Sequence, residues 1–162
     1  MALVTGASRG IGREVARQAV ERGARVGLVA RSAADLDEVL SLVGGRGVAV
    51  TADVADADQV THAVRQVEAA LGPVDVVVAN AGIGAFGPFA ETDPAEIERL
   101  TRVNWLGTAY VIRAVLPGMV ERRRGHVAVV ASIAGRMGAP LEALYSATKF
   151  AQVGLAEALE VE

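Results

Sequence analysis

The sequence predicts an α/β protein, a doubly wound parallel sheet that carries helices on both faces. Three observations lead to this fold class. Short segments that are apolar at nearly every position alternate with longer amphipathic segments along the chain. Continuous apolar runs are typical of strands buried on both faces, as in parallel sheets. The amphipathic segments begin and end with residues that favour helix termini.

Five strands alternate strictly with five helices, so each β-α-β crossover is expected to be right-handed. The predicted strands are Ala2–Thr5, Arg25–Ala30, Val48–Thr51, Val74–Ala79 and His126–Ala131. The first four helices are expected from Arg13 to Arg22, from a Ser32 cap to about Val43, from an Asp56 cap to Leu71, and from an Asp93–Pro94 pair to near Arg124. The fifth helix runs to the end of the chain.

The helix starts rest on capping patterns. Ser32 and Asp56 each precede, by three residues, a side chain that completes a capping box. Asp93 and Pro94 form a cap and first-turn pair, and Gly72 ends the third helix.

Composition narrows the class of protein. The 162 residues are 52% apolar and 22% charged, which predicts one globular domain over residues 1–162 without linkers or repeats. A net charge of −3 argues against nonspecific nucleic-acid binding. The run Arg122-Arg123-Arg124 fits cations at a helix C-terminus better than a basic patch.

Several kinds of site are excluded or disfavoured. The chain has no cysteine, which excludes disulfides and thiolate chemistry. His62 and His126 have no partners at metal-ligand spacing, so no metal site is expected. The segment after Met1 lacks signal-peptide features and no apolar run is long enough to span a bilayer. We therefore expect a soluble, cytoplasmic protein.

The turn after the first strand, Thr5-Gly6-Ala7-Ser8-Arg9-Gly10-Ile11-Gly12, predicts a phosphate-binding site. Gly6 permits a tight exit from the strand, Gly10 lets backbone approach a pyrophosphate, and Gly12 lets the helix pack on the sheet. The helix N-terminus adds free N–H groups. A glycine pattern alone is weak evidence, but its place between the first strand and helix strengthens it.

This turn resembles the cofactor loop of the short-chain dehydrogenase/reductase family, whose fold is Rossmann-like. An extended-type epimerase fits less well, because its loop is usually spaced T-G-x-x-G-x-x-G. The resemblance implies that Asp53, followed by Val54, contacts adenine, although a simple strand-end cap is the alternative. Asn80-Ala81-Gly82 matches the family element beside the adenosine ribose, with Ala79 in place of the usual first asparagine.

Charge near the second strand indicates which nicotinamide cofactor is used. An NAD site normally has a carboxylate at the end of this strand, but here Ala30 occupies that position and Arg31 follows. Arg9 in the glycine loop can reach the same corner. Guanidinium groups bind phosphate oxygens well, so NADP(H) is predicted over NAD(H). The alternative is that both arginines are solvated.

Four residues match the family's catalytic signature. Tyr145 and Lys149 lie one turn apart on a helix, and Ser132 follows the fifth strand. Asn104 on the long helix looks like the fourth residue, expected to bend the helix and hold a water that relays the proton. Tyr145 would be the acid/base, Ser132 would bind the substrate oxygen, and Lys149 would also hold the nicotinamide ribose.

The chemistry implied is hydride transfer between nicotinamide and a carbonyl or secondary alcohol. A phenol is a poor base at neutral pH. An ammonium some 4 Å away, at an effective dielectric of ~20, would favour the phenolate by up to about 4 kcal/mol. The family pattern continues through two further strands and a substrate lid, so the fifth strand here is an expected open edge.

Two interpretations stay open. The chain is either part of a working NADPH-dependent reductase, which the intact catalytic set favours, or a dinucleotide-binding or assembly module without turnover. The resemblance also implies a homodimer or homotetramer paired through Pro94–Arg124 and the helix from Leu144.

Overall fold

A computed structural model describes residues 1–162 and contains one five-stranded parallel sheet in the order β3-β2-β1-β4-β5. The strands are β1 (Ala2–Thr5), β2 (Val26–Ala30), β3 (Gly47–Thr51), β4 (Val76–Ala79) and β5 (His126–Val129). β1 is central, with Ala2 in register with Val26 of β2 and with Val76 of β4. The predicted doubly wound, Rossmann-like sheet is confirmed. Its strand order reverses between β1 and β4, where a crevice opens at the carboxyl ends.

Six helices surround the sheet: α1 (Gly10–Glu21), α2 (Ala33–Leu42), α3 (Ala57–Leu71), α4 (Pro94–Leu100), α5 (Gly107–Glu121) and α6 (Ala143–Glu160). The predicted long fourth helix is thus two α-helices, joined by a π-helical segment over Thr101–Leu106. Short 3₁₀ turns lie at Phe89–Glu91 and Ile133–Gly135.

Three helix starts have the predicted caps. The Ser32 hydroxyl accepts from the Asp35 N–H at 3.3 Å, and Asp56 accepts from Gln59 N–H at 3.0 Å. Asp93 accepts from Ala95 N–H at 2.8 Å. Each cap satisfies a backbone donor that the first helical turn leaves unpaired. These three predictions of helix start are therefore confirmed.

Each strand divides its side chains between two apolar clusters. Leu3 faces a cluster that includes Val67 of α3 and Val111 of α5. Its neighbour Val4 faces the opposite cluster, with Ala16 of α1 and the α2 side chain Val39. Burial on both sides explains why the inner strands are apolar at successive positions.

Several predicted boundaries were wrong by a few residues. α1 begins at Gly10, three residues before Arg13, because the turn itself enters the helix. β4 begins at Val76 rather than Val74, and β5 ends at Val129 rather than Ala131. These offsets fall at strand ends, because apolar character alone does not mark where regular pairing begins or stops.

The arginine run Arg122-Arg123-Arg124 was predicted to lie in the last turn of a helix, and this prediction was wrong. α5 ends at Glu121, and Arg123 adopts a left-handed φ of 50°. Arg122 donates to the Val74 carbonyl at 2.9 Å, and Arg124 lies 3.2 Å from an Asp75 carboxylate oxygen. The side chains of Arg122 and Arg124 therefore attach the end of α5 to Val74 and Asp75, the residues just before β4.

β5 is an edge strand, as expected, and its side chains are only partly covered. α6 packs against the π segment and the Ile133–Gly135 turn. No helix combines the length and the apolar character that crossing a membrane requires.

Candidate active site

The turn Gly6–Gly12, called here the glycine turn, is joined to β4 by Thr5 and Asn80. The Thr5 hydroxyl accepts from the Asn80 and Ala81 N–H groups at 3.1 and 3.2 Å. The Asn80 amide donates to the carbonyl oxygens of Thr5 and Gly6 at 2.9 and 3.2 Å. Both amide N–H donors of Asn80 therefore hold the turn against the central sheet, as the resemblance implied, and the place beside the ribose stays a prediction.

Gly12 occupies a position with no room for a side chain. A Cβ there would lie 2.6 Å from Asn80 Nδ2 and would also overlap the Gly6 carbonyl. Gly6 itself has a φ of +62°, a conformation that glycine adopts without steric cost. The close packing predicted for Gly12 and the tight strand exit predicted for Gly6 are both present.

The N-terminus of α1 is built differently from those of α2, α3 and α4. No side chain caps it, and its first turn contains no acidic residue. Its unpaired N–H groups and positive dipole end are therefore available to an external anion.

A groove of about 410 Å³ opens at this point. It is lined by most of the residues predicted to bind the cofactor: Gly6, Ser8, Arg9, Ile11, Arg31, Asp53, Val54, Asn80, Ala81 and Gly82. Gly10 and Gly12 belong to the turn without lining the groove, and Tyr145 and Lys149 lie outside it. The structure thus brings ten of the predicted contacts into one cleft.

One corner of the groove has mixed charge. Arg9 and Arg31, both exposed, line it together with Ser32 and Asp35. The sequence analysis missed Asp35, whose capping-box position at the start of α2 was the available signal. Counting Arg9, Arg31 and Asp35 alone, this corner is positive, and Asp53 adds a second carboxylate to the groove lining.

Asp53 and Val54, which follow β3, also line the groove. Asp53 Oδ1 accepts from the Ala55 N–H at 2.9 Å, which is the local strand-end cap that the sequence left open. Its residue still lines the groove, so cap and ligand contact are compatible. Val54 is buried against the start of α5, where a Cβ on Gly107 would lie 2.8 Å from its side chain.

Lys149 and Tyr145 lie together on the first turns of α6. The Lys149 ammonium lies 5.6 Å from the centre of the Tyr145 ring and donates to the Val130 carbonyl at 2.9 Å. Burial lowers the pKa of Lys149, because desolvation disfavours the charged ammonium. The same low-dielectric surroundings strengthen the field that an ammonium exerts on nearby oxygen atoms.

Gly82 connects this pair with the groove. A Cβ at Gly82 would lie 3.8 Å from Lys149 Nζ and 3.3 Å from Asn104 Oδ1. Since Gly82 also lines the groove, the lysine, the asparagine and the cleft meet at one backbone position.

Ser132 lies at the end of β5 in a turn that packs on α6. Its hydroxyl accepts from the Ala134 N–H at 3.2 Å, and a Cβ on Gly135 would lie 2.7 Å from the Lys149 carbonyl oxygen. The serine therefore lies on a turn held directly against the lysine-bearing part of α6.

Asn104 is completely buried in the π segment. Its side chain makes paired bonds to the backbone of Ile83: Oδ1 accepts from the N–H at 2.8 Å and Nδ2 donates to the carbonyl at 2.9 Å. Nδ2 also donates to the Thr148 hydroxyl at 3.1 Å. The helix widens at Asn104, and π-bulges of this kind are frequent at functional sites.

The Asn104 carbonyl accepts two further bonds that the sequence analysis missed. Thr108 Oγ1 donates to it at 2.8 Å, and Gln152 Nε2 from α6 donates at 2.8 Å. Asn104, Thr108, Thr148 and Gln152 are called here the Asn104 cluster. Only the position of Gln152 three residues after Lys149 signalled its place, and no spacing signalled Thr108.

A larger cavity of about 840 Å³ lies away from this chemistry, along β5 between α5 and α6. Of the predicted site residues only Ser132 lines it. We place the candidate site at the smaller groove, because the uncapped helix and the lysine–tyrosine pair adjoin it.

Comparisons with known proteins agree with this arrangement. A family model described as short chain dehydrogenase matches residues 1–162. Ketoacyl reductase HetN of Nostoc sp. is 36% identical over 163 residues, covering 99% of this chain and 57% of that protein. The 3-ketodihydrosphingosine reductase of Bos taurus is 38% identical, covering 99% of this chain and 51% of that protein.

The structural comparison points the same way. A metagenomic short-chain oxidoreductase in complex with NADP matches with a TM-score of 0.92 at 36% identity, covering 98% of this chain and 73% of that one. The chain spans about half the length of the two curated relatives described above. By sequence and by structure, the chain belongs to the short-chain dehydrogenase family.

Proposed function

We propose that the chain is the cofactor-binding and catalytic part of an NADPH-dependent carbonyl reductase, with Tyr145 as the acid/base. The proposal rests on one observation: two structural features lie next to each other at Gly82. One is a groove under an uncapped helix N-terminus, and the other is a buried lysine beside a tyrosine ring.

The residues of the groove fit a dinucleotide. The free N–H groups of α1 suit a pyrophosphate, since its N-terminus has neither a side-chain cap nor an acidic neighbour. The glycine turn would hold the phosphates, Asp53 and Val54 the adenine, and Asn80 to Gly82 the central part of the cofactor. When bound, the nicotinamide ring supplies the hydride.

NADPH is preferred in this proposal because of the positive corner. A ribose 2′-phosphate would meet Arg9 and Arg31, whose guanidinium groups form charge-assisted bonds with phosphate oxygens. Asp35 in the same corner is the feature that favours NADH, since a carboxylate binds a free ribose hydroxyl. Two cations against one anion favour the phosphate.

The chain's own residues supply the proton chemistry. Tyr145 donates its phenolic proton to the substrate oxygen during reduction and removes it during oxidation. Lys149 would stabilise the phenolate, since its ammonium lies 5.6 Å from the centre of the Tyr145 ring and a nearby positive charge favours the ionised phenol. Ser132 would donate a hydrogen bond to the same oxygen, where charge develops.

The substrate class proposed is a ketone or the matching secondary alcohol. Two relatives described above are named as reductases of keto compounds, a ketoacyl reductase and a 3-ketodihydrosphingosine reductase. We also propose that the protein forms homo-oligomers through residues 94–124 and the helix from Leu144.

The test is an NADPH-oxidation assay of the chain against simple ketones, with Tyr145→Phe measured beside it. We expect NADPH-dependent turnover, a higher kcat/KM with NADPH than with NADH, and a loss of roughly 10³-fold or more in the variant. NADPH affinity should stay near the wild-type value, because Tyr145 lies outside the groove.

Three results would contradict parts of this proposal. A Tyr145→Phe variant with near-normal turnover refutes the acid/base assignment. Preference for NADH refutes the charge argument at Arg9 and Arg31. NADPH binding without turnover by the wild type favours the dinucleotide-binding module instead.

A further inference from the structure

Gln152 is a polar side chain with no accessible surface, one turn beyond Lys149 on α6. Its Nε2 donates to the Asn104 carbonyl at 2.8 Å and to the Thr108 hydroxyl at 2.6 Å. The Thr108 hydroxyl in turn donates to the same carbonyl. Two side chains from different helices thus converge on one backbone oxygen of the π segment.

The other end of the Gln152 amide has no partner. Its Oε1 is buried and accepts no hydrogen bond from the protein. A buried acceptor without a donor is costly, and an apolar residue of similar size avoids that cost. Gln152 is bonded to the protein through Nε2 alone, and the residue also lines the cavity of about 840 Å³ between α5 and α6.

These bonds complete a clamp on Asn104 from α6. Thr148 binds the Asn104 side chain, and Gln152 binds its carbonyl four residues further along α6. Tyr145 belongs to the same clamp, because its carbonyl accepts from the Thr148 hydroxyl at 2.8 Å. Rotation or sliding of α6 against the π segment would break both attachments together.

The bonds from α6 to Asn104 also fix the distance between Asn104 and Lys149 Nζ, the two groups that approach Gly82. Asn104 is fixed to the Ile83 backbone, and Lys149 Nζ approaches Gly82 from α6. Their separation depends on how α6 is seated against the π segment. Small displacements of reacting groups change rates strongly, since the chemical step requires near-contact geometry.

We propose that Gln152 is a positioning residue. Together with Thr108 it holds the Asn104 carbonyl and thereby seats the helix that carries Tyr145 and Lys149 against the cofactor groove. This inference rests on the function proposed above. Gln152 touches none of the predicted cofactor or substrate contacts and acts through Asn104.

Gln152→Leu removes the two Nε2 bonds and the unpaired acceptor while keeping the volume similar. We expect kcat to fall roughly ten-fold, because α6 is no longer held in register. KM for NADPH should change by less than about two-fold, since Gln152 does not line the groove. The thermal midpoint should not fall as kcat falls, because the unpaired buried oxygen is also removed.

Thr108 provides a second pair of variants that does not depend on Gln152→Leu folding. Thr108→Val keeps the shape and removes the hydroxyl, and should lower kcat several-fold. Thr108→Ser keeps the hydroxyl and should restore it. The double variant Gln152→Leu with Thr108→Val should lose little more than the larger single effect, because both act on one carbonyl.

Gly154→Ala is the control on the same helix, two residues from Gln152, because an added Cβ there meets nothing within 4 Å. It should leave kcat near wild type. A Gln152→Leu variant with wild-type kcat overturns the inference, as does a Thr108→Ser variant no better than Thr108→Val. A wild type that shows no turnover overturns the proposed function, and the inference falls with it. If the wild type turns over, a negative result with these variants contradicts only the positioning role of Gln152.

Discussion

The glycine turn and the Asn104 cluster both adjoin the cofactor groove, but they treat their polar groups in opposite ways. The glycine turn consists of consecutive residues, Gly6 to Gly12, and leaves the N–H groups of α1 unpaired. The Asn104 cluster joins residues 44 and 48 positions apart and pairs the polar groups of Asn104.

This difference has a physical meaning. A ligand can bind an anion site only where donors are left free, so the glycine turn is open by construction. The side chain and carbonyl of Asn104, by contrast, are bonded to neighbours within the protein, and these bonds hold the neighbours in register. The glycine turn leaves donors free for a ligand, whereas Asn104 uses its polar groups inside the fold.

The largest expected effect on NADPH binding comes from disrupting the glycine turn. Gly12→Ala places a Cβ that overlaps the Gly6 carbonyl and lies 2.6 Å from Asn80 Nδ2. Relieving this overlap costs about 1–3 kcal/mol. We expect the dissociation constant for NADPH to rise roughly 10- to 100-fold, measured by calorimetry or nucleotide fluorescence.

Gly154→Ala is the control for this substitution, because a Cβ there meets nothing within 4 Å. Ala in an exposed helical position should stabilise the protein by about 0.5–1 kcal/mol and leave NADPH affinity unchanged. Wild-type NADPH affinity in Gly12→Ala would show that the turn tolerates a side chain.

The next effect breaks the Asn104 cluster. Asn104→Ala leaves the Ile83 N–H and carbonyl without their partners inside the protein. We expect the free energy of unfolding to fall by about 2–4 kcal/mol, measured in urea, and kcat to fall with it. Arg102→Ala, an exposed change in the same π segment, should stay within about 0.5 kcal/mol of wild type. Equal losses in the two variants would mean that the hydrogen bonds of Asn104 do not matter.

The smallest expected effect concerns the start of α3. Unlike the start of α1, it has a side-chain cap, Asp56. The backbone and side chain of Gln59 lower the pKa of Asp56, because its ionised carboxylate accepts their N–H bonds. A lowered folded pKa means that this stabilisation is complete above the unfolded value of about 4 and is lost as pH falls through the folded value.

Asp56→Ala should therefore lower the thermal midpoint by a few degrees at pH 7, and the difference should shrink steadily below about pH 4. Thermal melts followed by circular dichroism at several pH values measure this. Asp56→Asn keeps an uncharged cap, so its difference from Asp56→Ala should depend little on pH, whereas its difference from wild type should also shrink below about pH 4. A deficit in Asp56→Ala that persists unchanged at low pH would contradict the role of the ionised carboxylate.

Much of the fold was predictable because its signals are local. Burial on both faces makes each inner strand apolar at successive positions, and the caps at Ser32, Asp56 and Asp93 each act within three residues. The glycine turn was predictable for the same reason. For the long helix, the resemblance implied a bend at Asn104, but its π-helical form was not predicted, because it depends on bonds to Ile83 and from α6 that the local sequence does not encode.

The residues of the candidate site can be divided in the same way, into those that local sequence predicts and those that only contacts between distant segments identify. The sequence by itself determined the order of strands and helices along the chain, the glycine turn, and the residue types available for chemistry at Ser132, Tyr145 and Lys149. Only the tertiary structure decided that Asn80 supports the turn, that Asp35 shares the positive corner, and that Thr108 and Gln152 hold Asn104. Short-range patterns follow from the geometry of one helix or strand, whereas hydrogen bonds between distant segments form only once packing has brought their atoms together.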